Sequence, residues 1–358
     1  MVTPGGDLAL VFPGQGCQSV GMGRDIYEAF PRARALYQRA DSLLGFPLSK
    51  LCFEGPPDEL NDTANTQPAI YATTMALWEV LAPRLARVLP RVAFVAGHSL
   101  GEFSALTVVG ALDFETGLLL VRERGEAMRD AGVLAPGGMA AIIGLSDQAV
   151  AEIVDRVNRD GQKVWMANYN SPGQVVIAGE SAPLERAIAL ATERGAKRAL
   201  RLAVSIASHT PLMRAAAHRL GAALEATTFG RPWAPVVSNA TASPLSDPSE
   251  IRAALLRQIT SPLRWVKSVE LMVERGVTAM VEVGPRAVAS GLIRRINRST
   301  RLCRVTDAAS VRAFNPEALD RESGGPARAG AALEEGRHLQ IPETIAEEAN
   351  ERCDLMAK

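Results

Sequence analysis

An apolar run, Val92–Ala96, ends at a serine flanked by glycines, Gly97-His98-Ser99-Leu100-Gly101, and an amphipathic stretch begins directly behind it at Glu102. Strand, tight turn and helix within so short a span constrain the fold more than any other feature of the chain. The two glycines let the strand and helix backbones converge. The turn lifts the serine hydroxyl out at the carboxyl end of the strand, beside the unpaired backbone N–H groups of a helix N-terminus. A G-x-S-x-G pattern arises by chance in many chains; its position between a strand and a helix makes it read as a nucleophile elbow. Such an elbow belongs to an α/β fold on a parallel sheet, whose strands are covered on both faces and read as unbroken apolar runs. Leu8–Phe12 is a second run of this kind.

Between about Gly138 and Leu202 the order of elements changes. The pattern predicts strand (Met139–Gly144), helix (Asp147–Val157), strand (Val164–Asn168), strand (Gln174–Gly179), helix (Ala182–Arg194) and strand (Lys197–Leu202). That is the βαββαβ order of a ferredoxin-like unit, entered through the breaker-rich Ala135-Pro136-Gly137-Gly138. The expected architecture is a hydrolase-like parallel-sheet large domain, discontinuous over 1–137 and 203–312, with an inserted ferredoxin-like subdomain over 138–202. A ligand cleft is expected between the two. From 313 to 358 the chain turns polar, as in Glu322-Ser323-Gly324-Gly325-Pro326-Ala327-Arg328, and reads as a linker and C-terminal tail, with a short helix or a loose end over Pro342–Met356.

Hydrophobic residues make up 47% and charged residues 22% of the 358, and 39 Lys and Arg balance 39 Asp and Glu. That balance gives no support to nucleic-acid binding as the main activity. Met1–Asp7 lacks the basic and apolar regions of a secretory signal, and no segment approaches a membrane-spanning length, so a cytoplasmic location away from membranes is expected. Cys17, Cys52, Cys303 and Cys353 are far apart and form no C-x-x-C pair, which points to reduced thiols and to no metal site.

A serine nucleophile needs a base, and the chain offers four histidines: His98, His209, His218 and His338. His98 adjoins Ser99, so its side chain leaves the elbow in another direction and suits packing or hydrogen bonding in the turn. His338 falls in the polar tail, and His218 in the helix-like run Met213–Leu224, where a surface or capping role is expected. His209 remains, in Val204-Ser205-Ile206-Ala207-Ser208-His209-Thr210-Pro211, a passage from strand to loop at the exit from the inserted subdomain. A loop histidine at a domain boundary can reach the cleft.

Taken in order, several motifs resemble the malonyl-CoA:acyl-carrier-protein transacylases of bacterial fatty-acid synthesis and the related acyltransferases of polyketide synthases. They are Phe12-Pro13-Gly14-Gln15-Gly16, Thr66-Gln67-Pro68-Ala69, Gly97-His98-Ser99-Leu100-Gly101-Glu102, Arg124-Gly125 with Met128, Asn170-Ser171-Pro172-Gly173-Gln174, Ser208-His209, Ser238-Asn239 and Glu282-Val283-Gly284-Pro285. The resemblance runs from about Leu8 to Arg295. It implies a ping-pong reaction in which Ser99, activated by His209, takes a malonyl group from coenzyme A and passes it to the phosphopantetheine thiol of an acyl carrier protein. Coenzyme A enters as a thioester substrate, and no cofactor is implied. It further implies that the backbone carbonyl near Gln258 supports the histidine, and that backbone N–H groups of Gln15 and Leu100 form the oxyanion hole. The donor just after the nucleophile agrees with the elbow geometry itself.

The resemblance also assigns Arg124 to the free carboxylate of the malonyl group, a role that suits a planar guanidinium with two parallel donors. Its bland counterpart is a surface ion pair with Glu123 or Glu126. Glu102 suits an ion pair or a helix N-terminal charge that fixes the elbow, Gly14, Gly16, Gly284 and Pro285 suit loop shaping, and Asn170 and Gln174 suit hydrogen bonds within the insert or contacts to substrate. Ala207 stands where bacterial fatty-acid enzymes commonly have proline, and an Ala-Ser-His ending resembles methylmalonyl-selective acyltransferases, so that substrate stays open beside malonyl. Three other readings remain: an acyl hydrolase clearing carrier proteins, a general esterase, and a non-catalytic carrier-binding module. Arg124 speaks against the first, the lack of a recognisable acidic partner for the histidine against the second, and the presence of both Ser99 and His209 against the third.

Overall fold

The computed structural model describes residues 6–320 apart from 160 and 205; His338, Cys353 and the stretch Pro342–Met356 lie outside the described residues. Leu8–Phe12 (β1) and Val92–Gly97 (β2) are buried at every position, as expected for strands covered on both faces. They pair in parallel with Phe12 opposite Gly97. After them come Gly137–Ile143 (β3), Val164–Ser171 (β4), Gln174–Glu180 (β5), Arg198–Arg201 (β6), Val236–Val237 (β7), Pro244–Leu245 (β8), Ala279–Val283 (β9) and Arg301–Val305 (β10). The large sheet has the order β10-β9-β1-β2-β7-β8. It is parallel throughout except for β8, which runs antiparallel to β7. Side chains alternate between two cores: Leu8, Leu10 and Phe12 face the larger one, beneath the helices Thr63–Leu85 and Phe114–Leu134, while Ala9 and Val11 face Trp265, Val269 and Ile293.

The insert has the order β4-β5-β3-β6, antiparallel throughout, which is the ferredoxin-like arrangement expected. Strict alternation along β5 builds its two faces. Val175 and Ile177 pack under the helices Asp147–Asn158 and Ser181–Glu193. Val176 and Ala178 face Met139, Ala167 and Ala207, the last on the chain leading to His209. The insert is tied to the large sheet's side by main-chain bonds on either side of Leu263: Tyr169 N–H donates to its carbonyl (2.9 Å) and its own N–H donates to Ala167 (2.8 Å). Strand ends shift by one to three residues from expectation, most at β4, which runs on to Ser171 because Gln174 pairs with it across a tight turn.

One boundary needs correction. The polar stretch expected from 313 begins later, because Phe314 and Leu319 are buried in the main core and the Leu319 carbonyl accepts a bond from Arg91. Two isolated apolar anchors separated by Asn315-Pro316-Glu317-Ala318 have no periodicity that a sequence window reveals. Among the described residues no helix is long and apolar enough to cross a membrane, and no group of three or more His, Cys, Asp and Glu side chains is arranged to hold a metal ion.

Candidate active site

The elbow is built as its glycines predict. A Cβ on Gly97 would lie 1.8 Å from the Gly101 carbonyl carbon, and one on Gly101 would lie 2.4 Å from the Phe12 oxygen. Strand and helix therefore meet at van der Waals distance only without side chains. Gly97→Ala should lower stability by about 3 kcal/mol or more, read as a drop in the urea midpoint with an unchanged slope; a wild-type midpoint would refute this packing. Ser99 itself has φ of +52°, the left-handed region that non-glycine residues enter at a cost. Parallel pairing of β1 with β2, continued by the bond from His98 N–H to Phe12 O (2.9 Å), brings the loop after β1 beside the elbow. Among the described residues, neither the N–H of Gln15 nor that of Leu100 has a hydrogen-bond acceptor.

His209 reaches Ser99 from its loop, with Nε2 3.0 Å from Ser99 Oγ. Its Nδ1 lies 2.9 Å from the carbonyl oxygen of Gln258. A carbonyl only accepts, so Nδ1 carries the proton and Nε2 is the free lone pair facing the serine hydroxyl. Burial and then the nearby Arg124 charge push the imidazole pKa down from 6.5 to about 3, so the ring is neutral at physiological pH. His209 too has a left-handed backbone, φ +62°, which Thr210 braces by bonding the Ala207 carbonyl at 2.7 Å.

Arg124 lies on the helix Phe114–Leu134 and is wholly buried. The expected ion-pair partners Glu123 and Glu126 bind Arg219 instead, because Arg124 points inward from the same helix. Nη1 donates to Gln67 Oε1 (2.6 Å), and Nη2 donates to Gln258 Oε1 (3.0 Å) and to Ser99 Oγ (3.1 Å). Nε has no partner among the described residues. Burial lowers its pKa to about 10, with Glu102 opposing the shift, so the group remains a cation at neutral pH. Among the described residues this buried cation is held by amide and hydroxyl oxygens with an N–H to spare, an arrangement whose chemistry suits pairing with an anion.

Glu102 lies in the first turn of the helix Gly101–Val108, one of the two placements expected of it, and the other, an ion pair, is not formed. Among the described residues no cation lies within ion-pair distance of it; its Oε2 accepts from Gln258 Nε2 (2.7 Å) and from the Asn239 N–H (3.2 Å). Burial raises its pKa from 4.5 to about 7, the bonds to Gln258 and Asn239 and the Arg124 charge acting the other way. Asn170 also differs: it bonds out of the insert, with Oδ1 2.9 Å from His98 Nε2, and His98 rests edge-on against Trp265. Gln174 accepts from Arg295 at 2.5 Å. Gly284 shapes its loop, since a Cβ there would meet Pro13 at 2.3 Å. His218 is exposed on the helix Arg214–Ala226. Gln67, Asn239 and the side chain of Gln258 had no role assigned from sequence; the motifs of the first two were visible, but the partners of all three are 57 to 159 positions away.

An elbow serine paired with a carbonyl-supported histidine, on a parallel sheet carrying a ferredoxin-like insert, defines an acyl-transferring enzyme fold. The pattern of the acyl transferase domain family matches residues 9–321, and the chain belongs to that family. Its relatives are specific. It is 44% identical over 306 residues to the malonyl CoA-acyl carrier protein transacylase of Haemophilus influenzae, covering 86% of this chain and 97% of that one. It is 41% identical over 304 residues to the Bacillus subtilis protein of the same name, covering 85% and 95%. Among solved structures, an acyl carrier protein S-malonyltransferase from Vibrio cholerae matches with a TM-score of 0.81 at 43% identity, covering 86% of this chain and 99% of that one. A malonyl-transacylase in complex with its type II PKS acyl-carrier protein matches with a TM-score of 0.81 at 42% identity, covering 87% and 99%.

Proposed function

We propose that this chain transfers a malonyl group from coenzyme A to the phosphopantetheine thiol of an acyl carrier protein through an acyl-enzyme on Ser99. The observation that carries this reading is the buried Arg124 guanidinium, 3.1 Å from Ser99 Oγ with Nε unpartnered among the described residues. An acyl group on Ser99 that ends in a carboxylate supplies the missing anion; an acetyl group leaves the cation uncompensated.

The steps follow from the hydrogen bonds. Ser99 Oγ gives its proton to His209 Nε2 as it bonds to the thioester carbonyl carbon, and the carbonyl oxygen becomes an oxyanion facing the N–H groups of Leu100 and Gln15. The imidazolium formed is held by the Gln258 carbonyl on Nδ1. Collapse breaks the carbon–sulfur bond, and coenzyme A leaves as a thiol with the proton from Nε2. In the second half the carrier thiol gives its proton to His209, attacks the ester carbon, and Ser99 Oγ leaves with that proton restored. A cytoplasmic setting and chemistry without metal or cofactor belong to the same reading, as does an insert over 138–202 that closes on the elbow through Asn170.

Intact-mass spectrometry after brief exposure to malonyl-, methylmalonyl- and acetyl-CoA, followed by a holo carrier protein, tests the proposal. A malonyl adduct that moves to the carrier is the expected result. An adduct lost to water at one rate with or without carrier makes the protein a hydrolase, and preferential methylmalonyl loading assigns the other extender. A pH series adds a second check. Neutral His209 is the base, and its pKa is depressed, so kcat/KM for loading should show no His209 limb near 6.5 as pH falls. Any limb near 7 should vanish in Glu102→Gln; one that persists there returns the titration to His209 and contradicts the depressed value.

A further inference from the structure

Resting on that reading, we infer that Asn239 is a positioning residue that holds the Ser99 elbow in its strained, reactive form and keeps the oxyanion donors in register. Asn239 follows β7, the neighbour of β2, and is buried. Its side chain spans the elbow with two short bonds: Oδ1 accepts the Ser99 N–H at 2.6 Å, and Nδ2 donates to the Gly97 carbonyl at 2.6 Å. Those two groups flank His98 on the strand and helix sides of the turn, so one planar amide fixes the rotation of both peptides. The left-handed φ of Ser99 is held from outside, by a residue 140 positions away.

A second consequence concerns the oxyanion. Because Asn239 takes the Ser99 N–H, that donor is removed from the cleft, and the next N–H, on Leu100, is the elbow donor left free. Asn239 is itself fixed at both ends of its backbone: its N–H donates to Glu102 Oε2 at 3.2 Å, and its carbonyl accepts from Arg264 N–H at 2.9 Å. The polar groups of Asn239 are thus engaged by Ser99, Gly97, Glu102 and Arg264, and it acts through Ser99.

The test compares Asn239→Ala and Asn239→Asp with wild type. In single-turnover loading from malonyl-CoA, Asn239→Ala should slow the chemical step about 100-fold, the scale of a small misplacement of reacting groups, with little change in the half-saturating concentration. Asn239→Asp keeps the acceptor for Ser99 N–H but sets an oxygen against the Gly97 carbonyl, and should recover only part of the rate. Rates are counted per folded molecule, from melting curves. An alkyl fluorophosphonate, which bonds to Ser99 Oγ with loss of fluoride, is the second readout and should slow in parallel. Wild-type rates with both reagents in folded Asn239→Ala overturn the inference, as does a change confined to half-saturation. Should wild type accept no malonyl group, the functional reading fails while fluorophosphonate labelling still decides the role of Asn239.

Discussion

Ser99→Ala protein mixed with malonyl-CoA should gain no mass, and carrier malonylation should fall about 10⁴-fold or more, the scale seen when a serine nucleophile is removed from a Ser–His site. The fold should survive. Ser99 is only half-buried, and alanine keeps the left-handed turn available on the same terms as serine. The substitution also takes from Arg124 one of its hydrogen-bond acceptors while leaving Gln67 and Gln258 in place. Circular dichroism and a thermal melt close to wild type, together with absent adduct, are the expected pair of results. An adduct of malonyl mass on folded Ser99→Ala protein would place the nucleophile elsewhere and remove the basis for the mechanism.

Arg124→Ala carries the second large effect, and it is one of selectivity. Removing the guanidinium leaves the malonyl carboxylate in a buried site without its cation, a loss of about 3–5 kcal/mol, or roughly 10²–10⁴-fold in kcat/KM for malonyl-CoA. Acetyl-CoA has no such group to strand, so its loading should hold steady or rise. Loss of the positive charge also removes one cause of the depressed His209 pKa, so the imidazole should titrate higher in this variant. Competition between the two thioesters, read by mass, gives the ratio directly. Unchanged preference for malonyl over acetyl would falsify the carboxylate role of Arg124.

The parts of this molecule that obey local rules were legible in its sequence. The all-apolar runs of β1 and β2, the alternation in β5 and the two glycines around Ser99 each carry their structural meaning within a few residues. His209 could be reached by elimination because the chain has four histidines. The resemblance then supplied Arg124, Gln15, Leu100 and the Gln258 carbonyl; of these, Arg124 lies 3.1 Å from Ser99 Oγ and the Gln258 carbonyl 2.9 Å from His209 Nδ1. What sequence could not convey was the direction of side chains within one helix and the long-range wiring beneath the site. Arg122 and Arg124 are two positions apart, yet Arg122 bonds Glu126 at 2.6 Å at the surface while Arg124 is buried. Glu102 has the helix-terminal place expected of it, but its bonds to Asn239 and Gln258 were not foreseen. Tertiary contacts of that kind have no local signature.

The strand order has a consequence for synthesis on the ribosome. β1 lies between β2 and β9, and β9, at Ala279–Val283, is made long after β2 ends at Gly97. At about 5–20 residues per second, one hydrogen-bonding edge of β1 stays open for roughly 10–40 s after the other has been filled. During that interval the nascent chain carries a Ser99 turn that is already encoded in full beside an apolar strand with an unpaired edge, a template for pairing with another chain. Chains stalled before Ala279 should therefore be clients of chaperones and prone to aggregate, however sound the elbow they contain.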